Sequence, residues 1–180
     1  MLVAAMLAFC ASPMKTASAA ALPEANVAVV DYQRLLKQSA AGRDVHRQID
    51  SYRKSFQAEV KREEEALRNV EEKLKRERDS LSASEFQKRK RDFEERVIAL
   101  QRRAQDSMRA LDRSFQESMN KLHTRVLPLV EDISNKQGYN VVVDRSKVVI
   151  VLKTRDLTDE VIAVLNKKIP KLKVPKPKAK

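Results

Sequence analysis

The residue types that do chemistry are scarce in this chain. Its 180 residues include two histidines, His46 and His123, a single cysteine, Cys10, and two glycines, Gly42 and Gly138. A metal centre needs three or four converging ligands, and a covalent catalyst needs a nucleophile beside a base. One cysteine and two histidines far apart in sequence meet neither requirement. Solvated or flanking helix positions account for both histidines. A phosphate-cradling loop draws several glycines into one turn, and here the two stand alone. Neither GxSxG nor HExxH occurs. The 25 Asp and Glu residues alternate with 37 Lys and Arg, as on solvated helix faces. The sequence assigns no catalytic, cofactor or metal residue and predicts a protein that is not an enzyme.

Charge is the chemistry that is left. The net charge is +12, which implies anionic partners: nucleic acid, acidic lipid headgroups or acidic proteins. Between positions 73 and 91, Lys73, Lys75, Arg76, Arg78, Lys88, Arg89, Lys90 and Arg91 stand against Glu77, Asp79 and Glu85, a net +5. Two readings stay open for this cluster. It is a solvated helix end laced with i,i+4 ion pairs, or it is an anion-facing tip that attracts acidic chains or membrane headgroups.

A long helical hairpin must carry the cluster. Residues 43–137 are rich in strong helix formers and contain one proline, Pro128, with a glycine near each end. Ser82 with Glu85, or Ser84 with Gln87, fits a capping box that starts a new helix. The predicted arms are 43–81 and 85–137, roughly 60 and 80 Å long at ~1.5 Å per residue, with the tip near 80–85. In the second arm Phe86, Phe93, Val97, Leu100, Ala104, Met108, Leu111, Phe115, Met119, Leu122, Val126, Val130 and Ile133 recur in steps of 3, 4 and 4, with Arg89 the only slot that fails. That 11-residue repeat predicts a nearly straight seam. In the first arm Val45, Ile49, Tyr52, Phe56, Val60, Leu67, Val70, Leu74 and Leu81 form a stripe broken by Glu63, Glu64 and Arg78. Phe86, Phe93, Met108 and Met119 suit promiscuous apolar contact, but their place on the seam favours packing between the arms. A kink is expected near 124–128, where Pro128 removes a backbone donor.

The N-terminal stretch MLVAAMLAFCA is apolar and too short to span a bilayer, and small residues follow at 17–21. It reads as a signal peptide covering residues 1–21; a lipoprotein signal at Cys10 is disfavoured by the bulky Phe9. Cleavage would remove the only thiol and leave a disulfide-free exported protein. Export makes nucleic acid the least expected anionic partner.

Three β-rich runs flank the hairpin, at 27–30, 140–144 and 148–152, with a turn at 144–147 between the last two. Nearly continuous apolar runs predict strands buried on both faces. A short helix runs from 156 to 169, with Asp156 or Thr158 as its cap. Residues 170–180, PKLKVPKPKAK, are expected to be a disordered basic tail. The fold class is α+β, mainly α: a long antiparallel hairpin projecting from a small β body made of 22–42 and 138–169. A body of roughly 50 residues without disulfide or metal is too small to stand alone, so it is expected to associate. Val27, Val29, Val30, Val141, Val143, Val149 and Val151 are the residues assigned to that contact.

The two ends resemble the Skp/OmpH family of periplasmic chaperones. The resemblance rests on NVAVVDYQRLL at 26–36, on LPLVEDISNKQGYNVVVDRSKVVIVL at 127–152, and on DLTDEVIAVLNK at 156–167. Pro128, Gly138, Tyr139, Asp144, Asp156, Thr158 and Val161 stand where the family pattern places them. The resemblance implies a homotrimer in which three hairpins project like tentacles from a β-barrel body around a cavity. It implies binding of unfolded outer-membrane β-barrel proteins without nucleotide, and contact with acidic lipid or lipopolysaccharide. The lysine-rich tail departs from the pattern. An adaptor hairpin of the cell envelope and a basic nucleic-acid-binding protein are the alternative readings.

Overall fold

The computed structural model describes residues 24–178; the expected signal peptide lies outside the described residues. The chain opens with strand β1 (Val27–Val30) and helix α1 (Tyr32–Gln38). Two long helices follow, α2 (Ala40–Glu77) and α3 (Ala83–Lys136). Strand β2 (Val141–Asp144), two 3-10 turns (Arg145–Lys147 and Lys153–Arg155) and helix α4 (Thr158–Lys168) complete it. The architecture is the expected one, a helical hairpin on a small β body.

Strand β1 is the centre of that body. It pairs in parallel with β2, Val27 opposite Val141 and Val30 opposite Asp144. On its other side Val29 bridges Asp156, and its carbonyl accepts the Leu157 amide at 2.9 Å. Asn26 and Asn140 clasp the start of the pair: the Asn26 amide donates to Asn140 Oδ1 at 2.8 Å, and the Asn140 amide donates to the Asn26 carbonyl at 3.0 Å. The Thr158 hydroxyl, fully buried, accepts from the Asp31 amide at 2.8 Å and donates to the Asp156 carboxylate. It thereby ties the last helix to the first strand. The core spreads from β1 through Leu35, Leu157, Val161 and Leu165 into the hairpin root at Val45, Ile49, Leu122, Val126 and Ile133.

Local signals set the hairpin's ends. The Ser82 hydroxyl accepts from the Glu85 amide at 3.3 Å and donates to the Glu85 carboxylate at 3.1 Å, so the Ser82–Glu85 cap is the one used. At the far end the Tyr139 amide donates to Ser134 and the Gly138 amide to Asn135, with Gly138 at φ +74°. This is a Schellman stop, in which the left-handed residue favours glycine. Helix α3 runs unbroken through Pro128. Gly42 lies inside α2 rather than before it, because Ser39 is the cap and accepts from the Gly42 amide at 3.1 Å. A Cβ at Gly42 would sit 1.7 Å from the Leu36 carbonyl oxygen.

Several expectations need correction. Residues 148–152 form no strand, and Val149, Ile150 and Leu152 are 92, 86 and 68% exposed. The reason is geometric. The Asp144 carboxylate accepts from the Ser146 amide at 2.8 Å and starts a 3-10 turn that leads the chain off β2, while Asp156 already holds β1's other flank. The seam of α3 also differs from the apolar stripe. Ser107, Ser114 and Ser118 are buried in it, whereas Met108 is 63% exposed. The Ser107 and Ser118 hydroxyls donate to carbonyls four residues back, at 2.7 Å each, so small side chains face α2 with their polar atoms satisfied. Residues 170–178, expected to be disordered, pack along α2: Leu172, Val174 and Pro177 are buried. Alternate apolar residues give this segment a face to bury despite its lysines and prolines.

Gly42→Ala drives a methyl group into backbone that cannot yield freely. Urea unfolding followed by circular dichroism is expected to show a loss of about 2 kcal/mol or more. A loss below about 0.5 kcal/mol would mean that the α1–α2 junction relaxes around the new side chain.

Candidate functional site

The basic cluster gathers where the arms meet. Its lower half lies on the last turns of α2 and its upper half on the first turns of α3, around the 78–82 turn, and all eight side chains are exposed. Four of them are held by carboxylates. Lys73 and Arg89 both approach Glu77, at 3.8 and 2.6 Å; Lys75 approaches Glu71 at 2.6 Å and Lys90 approaches Glu94 at 3.7 Å. The Lys75–Glu71 hydrogen bond pushes the lysine pKa up. Arg76, Arg78, Lys88 and Arg91 have no ion pair among the described residues. Half of the cluster is thus laced by ion pairs, and half has none among the described residues.

Three ion pairs stitch the arms together below the tip: Arg89 to Glu77 at 2.6 Å, Arg96 to Glu63 at 2.7 Å and Arg103 to Glu59 at 2.8 Å. Exposed pairs of this kind contribute about 0–1 kcal/mol each, so they set register more than stability. Glu63, which seemed to break the first arm's stripe, is thereby accounted for. The apolar seam is thin in this distal half. Phe93, Val97, Leu100 and Ala104 are only half-buried, while Leu67 and Leu74 alone are buried on α2. Near the tip a cleft of about 150 Å³ opens between Val70, Leu74 and Phe93, rimmed by Lys73, Arg89 and Arg96. Midway along, Met108 stands between two further clefts of about 310 and 210 Å³, the second bordered by Phe56, Val60 and Leu111. Sequence reasoning placed Met108 in the seam; its exposure follows from Ser107 taking that position.

The histidines act as aromatic flanks. His123 lies edge-on to Tyr32 with ring centroids 4.9 Å apart, and His46 lies 5.2 Å from Phe115. No group of three or more His, Cys, Asp or Glu side chains among the described residues could hold a metal ion. No helix among them is long and apolar enough to cross a membrane.

The residues assigned to association divide as well. Val29 and Val30 are buried in the chain's own core, so they offer no surface to a second chain. Val27, Val143 and Val151 are half-buried, and Val141 and Val149 are exposed. Ile150, Leu152 and Val142 are exposed as well.

The chain is thus a long charged hairpin rooted in a two-stranded parallel sheet, with its last helix latched to the first strand. The OmpH family profile, outer membrane protein (OmpH-like), matches residues 26–165, and the chain belongs to that family. Relatives include the chaperone protein Skp of Yersinia enterocolitica, 26% identical over 146 residues that cover 81% of this chain and 89% of that protein. The chaperone protein Skp of Pectobacterium atrosepticum is 27% identical over 146 residues, covering 81% and 88%. The crystal structure of a candidate outer membrane chaperone, OmpH-like, from Caulobacter crescentus CB15 superposes with a TM-score of 0.82 at 18% identity, covering 91% of this chain and 96% of that one.

Replacing Arg76, Arg78, Lys88 and Arg91 together by glutamine is expected to leave the urea midpoint unchanged, because none of the four holds a carboxylate. A clear fall in the midpoint would make the free cations part of the fold rather than a surface for partners.

Proposed function

We propose that the protein is a periplasmic holding chaperone that works without ATP and shelters unfolded outer-membrane β-barrel proteins between the hairpins of a homotrimer. The observation that carries this reading is the distal hairpin, where a thin, half-exposed apolar seam between charged rows ends in unpaired cations. Such a surface attracts a chain at long range and gives it little apolar area to adhere to. Electrostatic steering raises the encounter rate and is screened by salt. A holder that binds the unfolded state alone shifts its client's equilibrium by mass action, with no chemical step. Membership of a family whose relatives are named chaperones supports the same reading. Export through a cleaved leader follows from the N-terminal sequence. The free cations also fit contact with anionic lipid headgroups, lipopolysaccharide included.

The trimer is proposed from the body. Val141, Val142, Val149, Ile150 and Leu152 are exposed on and just after β2, whose outer edge has no strand partner among the described residues. Exposed apolar patches and unpaired strand edges are what a second chain covers. Val149→Asp with Ile150→Asp is expected to lower the mass measured by light scattering from three subunits to one. An unaltered trimer would move the association surface elsewhere.

The function is tested by diluting a urea-unfolded outer-membrane barrel protein with and without the purified protein. Suppression of aggregation without ATP, weakened by salt, is expected. Reversing Lys88, Arg89, Lys90 and Arg91 to glutamate should weaken capture several-fold and leave the assembly intact. A trimer that leaves aggregation untouched would overturn the chaperone reading and favour an envelope adaptor.

A further inference from the structure

The last described residues run along α2 without regular secondary structure. In 171–174, Leu172 and Val174 are buried while Lys171 and Lys173 are exposed, the alternation of a strand with one face down; past them the phase changes, with Lys176 exposed and Pro177 buried. What receives this strap is α2. Gln48 Nε2 donates to the Leu172 carbonyl at 2.9 Å, and Gln48 Oε1 accepts from the Val174 amide at 3.1 Å. One turn earlier, Asp44 Oδ2 accepts from the Leu172 amide at 3.2 Å, and Gln48 Nε2 also donates to it at 2.8 Å. A group that donates to the carbonyl of one residue and accepts from the amide two residues on does what a residue of a neighbouring parallel strand does. Asp44 and Gln48 therefore present a substitute strand edge on a helix. It reads backbone and requires only that alternate side chains be apolar.

The strap's outer face suits its surroundings poorly. It borders a cleft of about 710 Å³ lined by Tyr52, Lys121 and Arg125 together with the strap's own Lys171, Lys173 and Lys176, and no carboxylate is among the lining residues. Lys121 has a partner in Glu117 at 2.7 Å; Arg125 has none among the described residues. Three lysines thus sit beside two further cations, and an occupant bearing Asp or Glu at the outward positions would exchange repulsion for attraction.

The geometry points to a peptide-docking groove at the hairpin root, built on Asp44 and Gln48. Segment 170–178 is its resident occupant, and an extended segment of an unfolded barrel protein with apolar and acidic residues in alternation displaces it. Transmembrane β-strands alternate apolar and polar residues in this way. The inference rests on the chaperone reading for its ligand and adds a site at the root, distinct from the cationic tip.

The test uses the full chain and a fluorescent nine-residue peptide alternating leucine or valine with glutamate. Peptide anisotropy should show binding at least ten-fold tighter to the Leu172→Asp, Val174→Asp variant, whose strap cannot dock. Adding Gln48→Ala to that variant should cost at least ten-fold, and a peptide of the same composition without alternation should bind no tighter to the strap variant than to the parent. In the unaltered chain, excess acidic peptide should speed hydrogen exchange at the Leu172 and Val174 amides, a readout that needs no variant. Equal peptide binding by parent and strap variant, or exchange unmoved by saturating peptide, would overturn the groove. The aggregation assay is run on the same samples. Suppression with no effect on the strap sinks the groove alone, whereas strap displacement without suppression sinks the chaperone reading alone.

Discussion

Everything in this molecule depends on a strand whose partners are synthesised last. Strand β1 is buried between β2 and Asp156, and both lie beyond the entire hairpin. Parallel strands need a long crossover, and here the crossover is the whole helical hairpin. The Asn26–Asn140 clasp and the Thr158 hydroxyl close the two ends of the chain on each other. The direction in which the arms leave the body is fixed by that closure, through Ser39, Gly42 and the stop at Gly138. The family motif residues acquire physical roles in it. Thr158 bridges Asp31 and Asp156, and Val161 fills the core beneath.

The parts legible in the sequence are those that local chemistry decides. The Ser82–Glu85 cap, the Gly138 stop and the helix-forming composition between them located the hairpin within a few residues. Where size or partners decide, the reading failed. A hydropathy stripe cannot see that Ser114 and Ser118 let two helices approach more closely than Met108 would. The run at 148–152 is apolar, but burial requires something to bury it, and the described residues leave Val149, Ile150 and Leu152 uncovered. Residues 170–178 carry the composition of a disordered tail, and their two-residue alternation is short enough to be lost among lysines and prolines. The tip cations were legible as a set. Which of them are free was not, because the pairing of Arg89 with Glu77 depends on the register between arms.

Close apolar packing is uneven along the hairpin. The closely packed apolar core lies at the root, where Leu122, Val126 and Ile133 meet α1, α2 and α4, while cations without an ion pair occur both at the tip (Arg76, Arg78, Lys88 and Arg91) and at the root around Arg125 and the strap lysines. Between them is a region of inter-arm ion pairs and half-buried side chains, with clefts around Met108. Attraction at the tip and apolar contact farther down act over different ranges, the first set by ionic strength and the second by touch.

The thinning of the seam also has a mechanical meaning. Two helices joined by a buried seam resist sliding past one another and bend as one thick rod. Two helices joined by exposed ion pairs shear more easily and bend as two thin ones. With its buried serines and leucines toward the root and its half-bare seam at 86–104, the hairpin is a tapered beam, stiff where it is clamped and compliant at its free end. Its tip can be displaced by loads that leave its base unmoved, so a container built from such arms would widen at the mouth while its floor stayed fixed.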